Sequence, residues 1–283
     1  MEVSELAAWI NEAHGIDFFL KPRLAGGYQD GAFPLVDGTG RTFVLKCDFA
    51  PRALPLLREL HALGYPTPET FFAGETPDGA RYVVQAFLPG GPPDTLTLPL
   101  LEQILEIVEL QANRNPAPSE VGAESWSRYA RAVVFENESG WTALLRSRPD
   151  TCGLLDEIEA LTAPLAGLTL PDADIVHGDF NLGNILVENG RITGVIDMLY
   201  AGYGTRALDL ATLLHFAWVK GGDEAVRRRL TERIESLVGH GGLCLCLAYR
   251  MLAMLAWAVE RDPDAVENYL FHGRRIVREL SSG

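Results

Sequence analysis

One stretch of the chain constrains its fold more than any other. DIVHGDFNLGNILVENGRITGVIDM, residues 174–198, is rich in β-branched residues and interrupts sequence that otherwise carries helical periodicity from about residue 97 to residue 280. Ile185-Leu186-Val187 and the run from Ile192 to Ile196 flank Glu188-Asn189-Gly190, a turn signal, so the spacing predicts a β-hairpin. His177, Asp179 and Asn184 lie just ahead of that hairpin and Asp197 just after it. Oxygen-bearing side chains therefore converge at one hairpin end, inside a helical surround.

The first ninety residues read differently. FFLKPRLAGG and GAFPLVDGTGRTFVLKCD are strand-like, broken by Gly26-Gly27 and by the turn Asp37-Gly38-Thr39-Gly40. Leu54, Leu57, Leu60 and Leu63 mark a short helix over 52–63, and TFFAGETPDGARYVVQAFL reads as a second hairpin turning at Thr76-Pro77-Asp78-Gly79. The cluster PGGPP at 89–93 is the expected hinge. Beyond it, helices are expected over about 97–113, 122–137, 151–163, 206–219, 223–238, 243–260 and 263–280. A chain of 283 residues suits two domains or two lobes, and the division predicted is 1–88 and 89–283, an α+β arrangement.

Composition narrows the function. Hydrophobic residues at 47% and charged residues at 22% are ordinary for a globular core. A net charge of −14 speaks against nucleic acid as partner and favours a cationic one. Most of the acidic excess falls after residue 88, which places any acidic binding face there. Cys47, Cys152, Cys244 and Cys246 show neither disulfide nor metal-ligand spacing, and the last two sit among leucines as buried thiols. MEVSELAAWINEAHG reads as a short amphipathic helix and not as a signal peptide. The most apolar stretch, 243–259, carries Arg250 at its centre, so it reads as a core helix and not a membrane span. A cytoplasmic protein, monomer or dimer, is expected.

The residues around the hairpin suit phosphoryl transfer, which needs positioning, a divalent cation to neutralise phosphate charge, and an acceptor for the hydroxyl proton. Asp179 can take that proton, while Asn184 and Asp197 offer hard oxygen ligands for Mg2+. The Asp-to-Asn spacing with a downstream Asp is that of the protein-kinase catalytic loop. Yet Gly178 stands where a protein kinase has Arg, and Met198-Leu199 replaces Phe-Gly. Only eleven residues separate Asp197 from Asp209, and no Ala-Pro-Glu follows. Those departures argue against a protein kinase.

HGDFNLGNILV followed by GVIDMLYAGYGTRALDLA resembles the aminoglycoside phosphotransferase family, small-molecule kinases of protein-kinase-like fold. GGYQDGAF is similar to the family's nucleotide loop, FVLK to its lysine strand, LRELHALGYPTPETF to the helix and turn that follow, and RYVVQAFLPG to the strand entering the hinge. The likeness runs from about residue 25 to 215. It implies a bilobal fold, with a small antiparallel-sheet N-lobe and a larger, mostly helical C-lobe, that binds ATP or GTP with Mg2+.

By position it implies Asp179 as catalytic base with His177 bracing the loop, Asn184 and Asp197 as magnesium ligands, and Asp209 pinning the loop. Lys46 and the Gly26-Gly27 loop would contact phosphates, and backbone near Gln85 and Phe87 would hold the purine at an unpaired strand edge. The family's usual lysine-pairing Glu falls here on Ala53; the nearest helix acid, Glu59, is six residues on, about 240° around the helix. Glu59 or Asp48 could substitute, or Lys46 could lack that brace.

The acceptor implied is a cationic antibiotic, an aminoglycoside or a basic cyclic peptide of the capreomycin and viomycin type. Acids cluster at Glu136-Glu138 and at Glu260, Asp262, Asp264 and Glu267, and the second cluster is the expected acceptor wall. Two alternatives stand beside this: a metabolic kinase of the same fold acting on fructosamine, choline or homoserine, and a catalytically silent nucleotide-binding module.

Overall fold

The computed structural model describes residues 2–22, 32–47, 49–118 and 125–282. The N-lobe opens with α1 (Val3–His14), an amphipathic helix started by a reciprocal Glu2–Glu5 capping box. It lies on a five-stranded antiparallel sheet built from β1 (Phe19–Leu20), β2 (Ala32–Val36), β3 (Thr42–Cys47), β4 (Thr70–Glu75) and β5 (Arg81–Ala86), in the order β1-β2-β3-β5-β4. The two predicted turns form as read: the Asp37 carboxylate accepts from the Thr39 and Arg41 amides, and the Thr76 hydroxyl binds Ala80 and Asp78 across the second hairpin.

Strand alternation divides the sheet into two faces. Leu35, Phe43, Leu45, Tyr82 and Val84 join Leu6 and Ile10 of α1 in a small outer core. Val83 faces the other way, into a large core that takes in α2 (Ala53–Ala62) and most of the helical lobe. Lys46 follows Leu45 by one residue, so it too projects from this inner face.

Past β5, residues 88–91 pack onto the hairpin foreseen in the sequence, β7 (Ile185–Glu188) with β8 (Arg191–Val195). Gly91 pairs with Val187, and the Thr193 hydroxyl donates to the Pro89 carbonyl at 2.6 Å. Gly90 sits at φ +98°, where a Cβ would come 2.8 Å from the Val187 carbonyl oxygen, so only glycine fits. The hairpin turn, Asn189-Gly190, has positive φ at both residues, the geometry a two-residue connection needs.

The C-lobe comprises α3 (Leu98–Glu109), α4 (Trp126–Glu136), α5 (Trp141–Arg146), α6 (Pro149–Thr162), α7 (Ala207–Val219), α8 (Glu224–Arg261) and α9 (Val266–Leu280). Two short strands, β6 (Asp174–Val176) and β9 (Gly202–Gly204), pair with each other. The helix α5 and the strand β9 were not anticipated. The expected gap near residue 240 is real: α8 breaks at Gly239, whose φ of 70° and ψ of 172° are non-helical. By length and composition α8 could cross a membrane, but 89% of its apolar window is buried inside the protein. None of the four cysteines forms a disulfide. Burial pushes the Cys244 thiol up to about 11 and Cys246 higher still, as for inert core thiols.

Candidate active site

The loop between β6 and β7 is held from beneath by one carboxylate. Asp209, in the first turn of α7 and 1% exposed, accepts hydrogen bonds from the amides of His177 (2.8 Å) and Gly178 (3.1 Å) and from the Gln111 side chain (2.8 Å). Burial pushes its carboxyl up from the ordinary range, while the His177 ring and these donors pull it down. His177 is itself buried: its Nε2 donates to the Ile196 carbonyl at 2.9 Å and its Nδ1 accepts from the Asp179 amide at 3.2 Å. Both ring nitrogens thus brace the loop.

Above this floor stands Asp179, its side chain half exposed. Its Oδ2 accepts from the side-chain amides of Asn181 (3.0 Å) and Asn184 (3.4 Å), and its Oδ1 accepts from Arg250 of α8 at 3.0 Å. Asn184 also donates to the Asp179 carbonyl at 2.9 Å, so its amide nitrogen is turned inward. The Ile196 amide donates to the Asn184 carbonyl at 2.9 Å, which sets Asn184 and Asp197 at the same open end of the hairpin. Asp197 holds φ at +69°, in the left-handed region that a non-glycine residue occupies at a cost. Its Oδ1 accepts from Lys46 of β3 at 2.9 Å, and both side chains are largely buried. Lys46 is thus braced across the lobes by Asp197. Glu59 is exposed, Ala53 is fully buried at the start of α2, and Asp48 lies outside the described residues.

A cavity of about 130 Å³ opens over these groups, lined by Trp126, His177, Gly178, Asp179, Asp197 and Tyr200. The Trp126 side chain lies against three glycines: a Cβ would approach its ring at 2.5 Å from Gly178 and 3.2 Å from Gly202, and its Cβ at 3.0 Å from Gly204. Trp126 also leads an aromatic chain, with ring centroids 5.8 Å from Trp126 to Tyr129 and 6.1 Å from Tyr129 to Tyr249. A larger concavity of about 380 Å³ lies elsewhere, between α3 and α8, and ion pairs from Arg229 and Arg233 to Glu102 and Glu109 cross it. It holds none of these groups.

The donor set fits Mg2+. Asn184 and Asp197 supply hard oxygens, and the inward turn of the Asn184 nitrogen leaves its oxygen for a cation. Among the described residues no three His, Cys, Asp or Glu side chains cluster as a metal site.

Other expectations fare variously. The strand edge expected at Gln85 is occupied: β5 lies between β3 and β4, and Gln85 faces Val44 on one side and Thr70 on the other. Backbone beyond the sheet begins at Phe87, which is 42% exposed. Gly26 and Gly27 lie outside the described residues. Glu260, in the last turn of α8, Asp264, just ahead of α9, and Glu267, in the first turn of α9, are exposed; Asp262 is partly so. None of the four lines the cavity at Asp179, and Glu260 is about 15 Å along the helix from Arg250. Arg250, Trp126 and Tyr200 were not foreseen as site residues. Their one signal was the charge of Arg250 in the most apolar stretch of the chain.

A family model described as a phosphotransferase enzyme family matches residues 22–243. An aminoglycoside 3'-phosphotransferase from Escherichia coli is 46% identical over 43 residues, an alignment covering 15% of this chain and 16% of that relative. Among solved structures, aminoglycoside phosphotransferase APH(4)-Ia aligns with a TM-score of 0.74 at 20% identity, over 98% of this chain and 99% of that one. A thermostable mutant of it in ternary complex with AMP-PNP and hygromycin B aligns at 0.72 and 20%, over 98% of each chain. The choline kinase LicA from Streptococcus pneumoniae aligns at 0.65 and 14%, over 99% and 100%. These likenesses show the bilobal fold. With the family match covering most of its length, the chain belongs to the phosphotransferase enzyme family.

Proposed function

We propose that the chain transfers the γ-phosphate of ATP or GTP to a hydroxyl of a cationic antibiotic, an aminoglycoside or a basic cyclic peptide, and so inactivates it. The observation that carries the reading is the arrangement of Asp179, Asn184 and Asp197 at one hairpin end, with Lys46 reaching them from the other lobe. In it, Asp179 receives the proton of the acceptor hydroxyl as that oxygen attacks phosphorus. Asn184 and Asp197 hold Mg2+, which neutralises phosphate charge when bound. Lys46 leaves Asp197 for the phosphates, backbone past β5 near Phe87 holds the base, and the lobes divide at residues 88–91.

Acidic charge in the C-lobe favours a cationic acceptor, in keeping with the hygromycin B bound by a relative of this fold. One observation favours a metabolic reading instead. Trp126 and Tyr200 line the cavity beside Asp179, and aromatic faces attract alkylammonium groups, as a choline kinase of the same fold would require. We place the protein in the cytoplasm, where nucleotide is supplied.

The test is ADP release dependent on Mg2+ and nucleotide, measured over aminoglycosides, basic cyclic peptides, choline and fructosamines, with GTP alongside and mass spectrometry of the acceptor. Phosphorylation of one class, falling about 10²–10⁴-fold in Asp179→Asn, supports the assignment. Undiminished turnover in that variant would remove Asp179 from its role.

A further inference from the structure

We propose that Arg250 is a positioning residue for phosphoryl transfer: it fixes the Asp179 carboxylate in its working orientation from the core of the helical lobe. This rests on the kinase reading above and adds to it a group 71 positions from Asp179 in sequence, on the helix α8 and outside the loop that carries Asp179.

The case starts from the cost of the charge. Residues 243–258 of α8 are almost continuously buried and apolar, yet Arg250 lies among them with its side chain 8% exposed. Among the described residues Asp179 is the one carboxylate within ion-pair distance of it. The guanidinium carbon stands 5.6 Å from the centroid of the Phe216 ring, and Nε is buried with no hydrogen-bond partner among the described residues. Its neighbour His215 on α7 offers no compensation, since burial and the charge of Arg250 push that imidazole down to about 3. An ion pair with an enclosed guanidinium and a half-exposed carboxylate is a poor device for stability, because water screens the carboxylate while the arginine still bears the cost of burial. What the arginine does supply is direction.

Asp179 is held from two sides. Arg250 Nη2 donates to Oδ1 at 3.0 Å, while Asn181 donates to Oδ2 at 3.0 Å and Asn184 at 3.4 Å. Donors on both oxygens fix the carboxylate plane before an acceptor arrives. Each oxygen has a second lone pair, so one remains free for the incoming hydroxyl. Orientation of this sort is worth rate: a misplacement of about 1 Å costs on the order of 10²-fold. The arginine comes from a rigid, packed helix and not from the loop, which is how a reacting group is best held.

The experiment compares Arg250→Met, Arg250→Lys, Asp179→Ala and the double variant Asp179→Ala/Arg250→Met. Turnover is measured on whichever acceptor the wild-type chain phosphorylates, and thermal melts are recorded for all. Arg250→Met is expected to lower kcat by about 10-fold or more while KM for nucleotide and acceptor changes less than about threefold. Arg250→Lys is expected to recover part of that loss, through its charge but without the planar fork. In the melts, Asp179→Ala strands the buried guanidinium and lowers Tm by several degrees, whereas the double variant regains most of that loss.

A kcat in Arg250→Met equal to that of wild type would overturn the inference. So would a rise in KM alone, or a loss of folded protein with normal turnover per folded molecule. Independent melts, with no coupling between the two positions, would overturn the contact while leaving the kinase reading intact. A wild-type chain that phosphorylates no acceptor would instead overturn the kinase reading and the catalytic half of this inference, with the melting cycle still reporting the ion pair.

Discussion

The two sides of the cleft are built on different terms. On the C-lobe side, Asp209 alone gathers three donors, His177 spends both ring nitrogens, and Asp179 is held through both oxygens. On the N-lobe side, Lys46 meets the rest through one ion pair among the described residues, to Asp197. The groups that must not move are fixed by buried bonds. Under the proposed function, Lys46 changes partners when phosphates arrive, and among the described residues its ion pair with Asp197 is one that another anion can replace. On that proposal, rigidity is placed where a proton is taken, and exchangeability where a ligand is bound.

Four substitutions would sharpen or break this contrast. Asp209→Ala should have the largest effect, because it leaves the His177 and Gly178 amides and one Nε2 hydrogen of Gln111 without an acceptor, the other still going to the Ile175 carbonyl. A loss of about 3–5 kcal/mol is expected, roughly 10 °C in Tm, read by denaturant and thermal unfolding. A melt close to wild type would mean that the loop is not fixed from below. Lys46→Met should act on binding more than on folding. Nucleotide Kd should rise about 10–100-fold by titration calorimetry, the worth of a charge-assisted bond, with Tm moving by less than about 4 °C.

His215→Phe probes the packing under the catalytic loop. The His215 imidazole is pushed down to about 3, first by burial and then by Arg250 and His272, against 6.5 in an open chain. Its folded value lies below its unfolded one, so its contribution is complete above pH 6.5 and is lost progressively as the pH falls toward 3. Wild type should therefore lose about 2 kcal/mol between pH 7 and pH 5 that His215→Phe does not lose. Parallel stability curves would place the imidazole in water. The smallest effect belongs to Glu102→Gln, at the exposed pair with Arg229 joining α3 to α8: less than about 1 kcal/mol, and none in high salt.

What could be read from sequence alone was what is local. The hairpin at 185–195 is written in its own turn, Asn189-Gly190, and the catalytic loop in the spacing of Asp179 and Asn184. The break in α8 lies where the two helical patterns fail to join, at Gly239. The six residues of α5 give too few turns for a period to show. The strand β9, Gly-Tyr-Gly, has no strand character until β6 pairs with it. The contacts that finish the site were beyond reach for the same reason. Lys46 finds Asp197 across 151 residues and Arg250 finds Asp179 across 71, by the packing of lobes and helices that no short window records. Gln85 shows the converse: the edge read for it vanished because β4 folds back alongside β5.

The fit of Trp126 against Gly178 bears on how this chain can change over evolutionary time. Gly178 occupies the place of an arginine in protein kinases, and it holds φ at +88° with the indole 2.5 Å from where a Cβ would be. No single substitution can put a side chain there. The tryptophan must be lost first, and until it is, any descendant with a larger residue at 178 carries a misshapen catalytic loop. The order of those two events is fixed by geometry, so the indole works as a ratchet that keeps this lineage from drifting toward a His-Arg-Asp loop one mutation at a time.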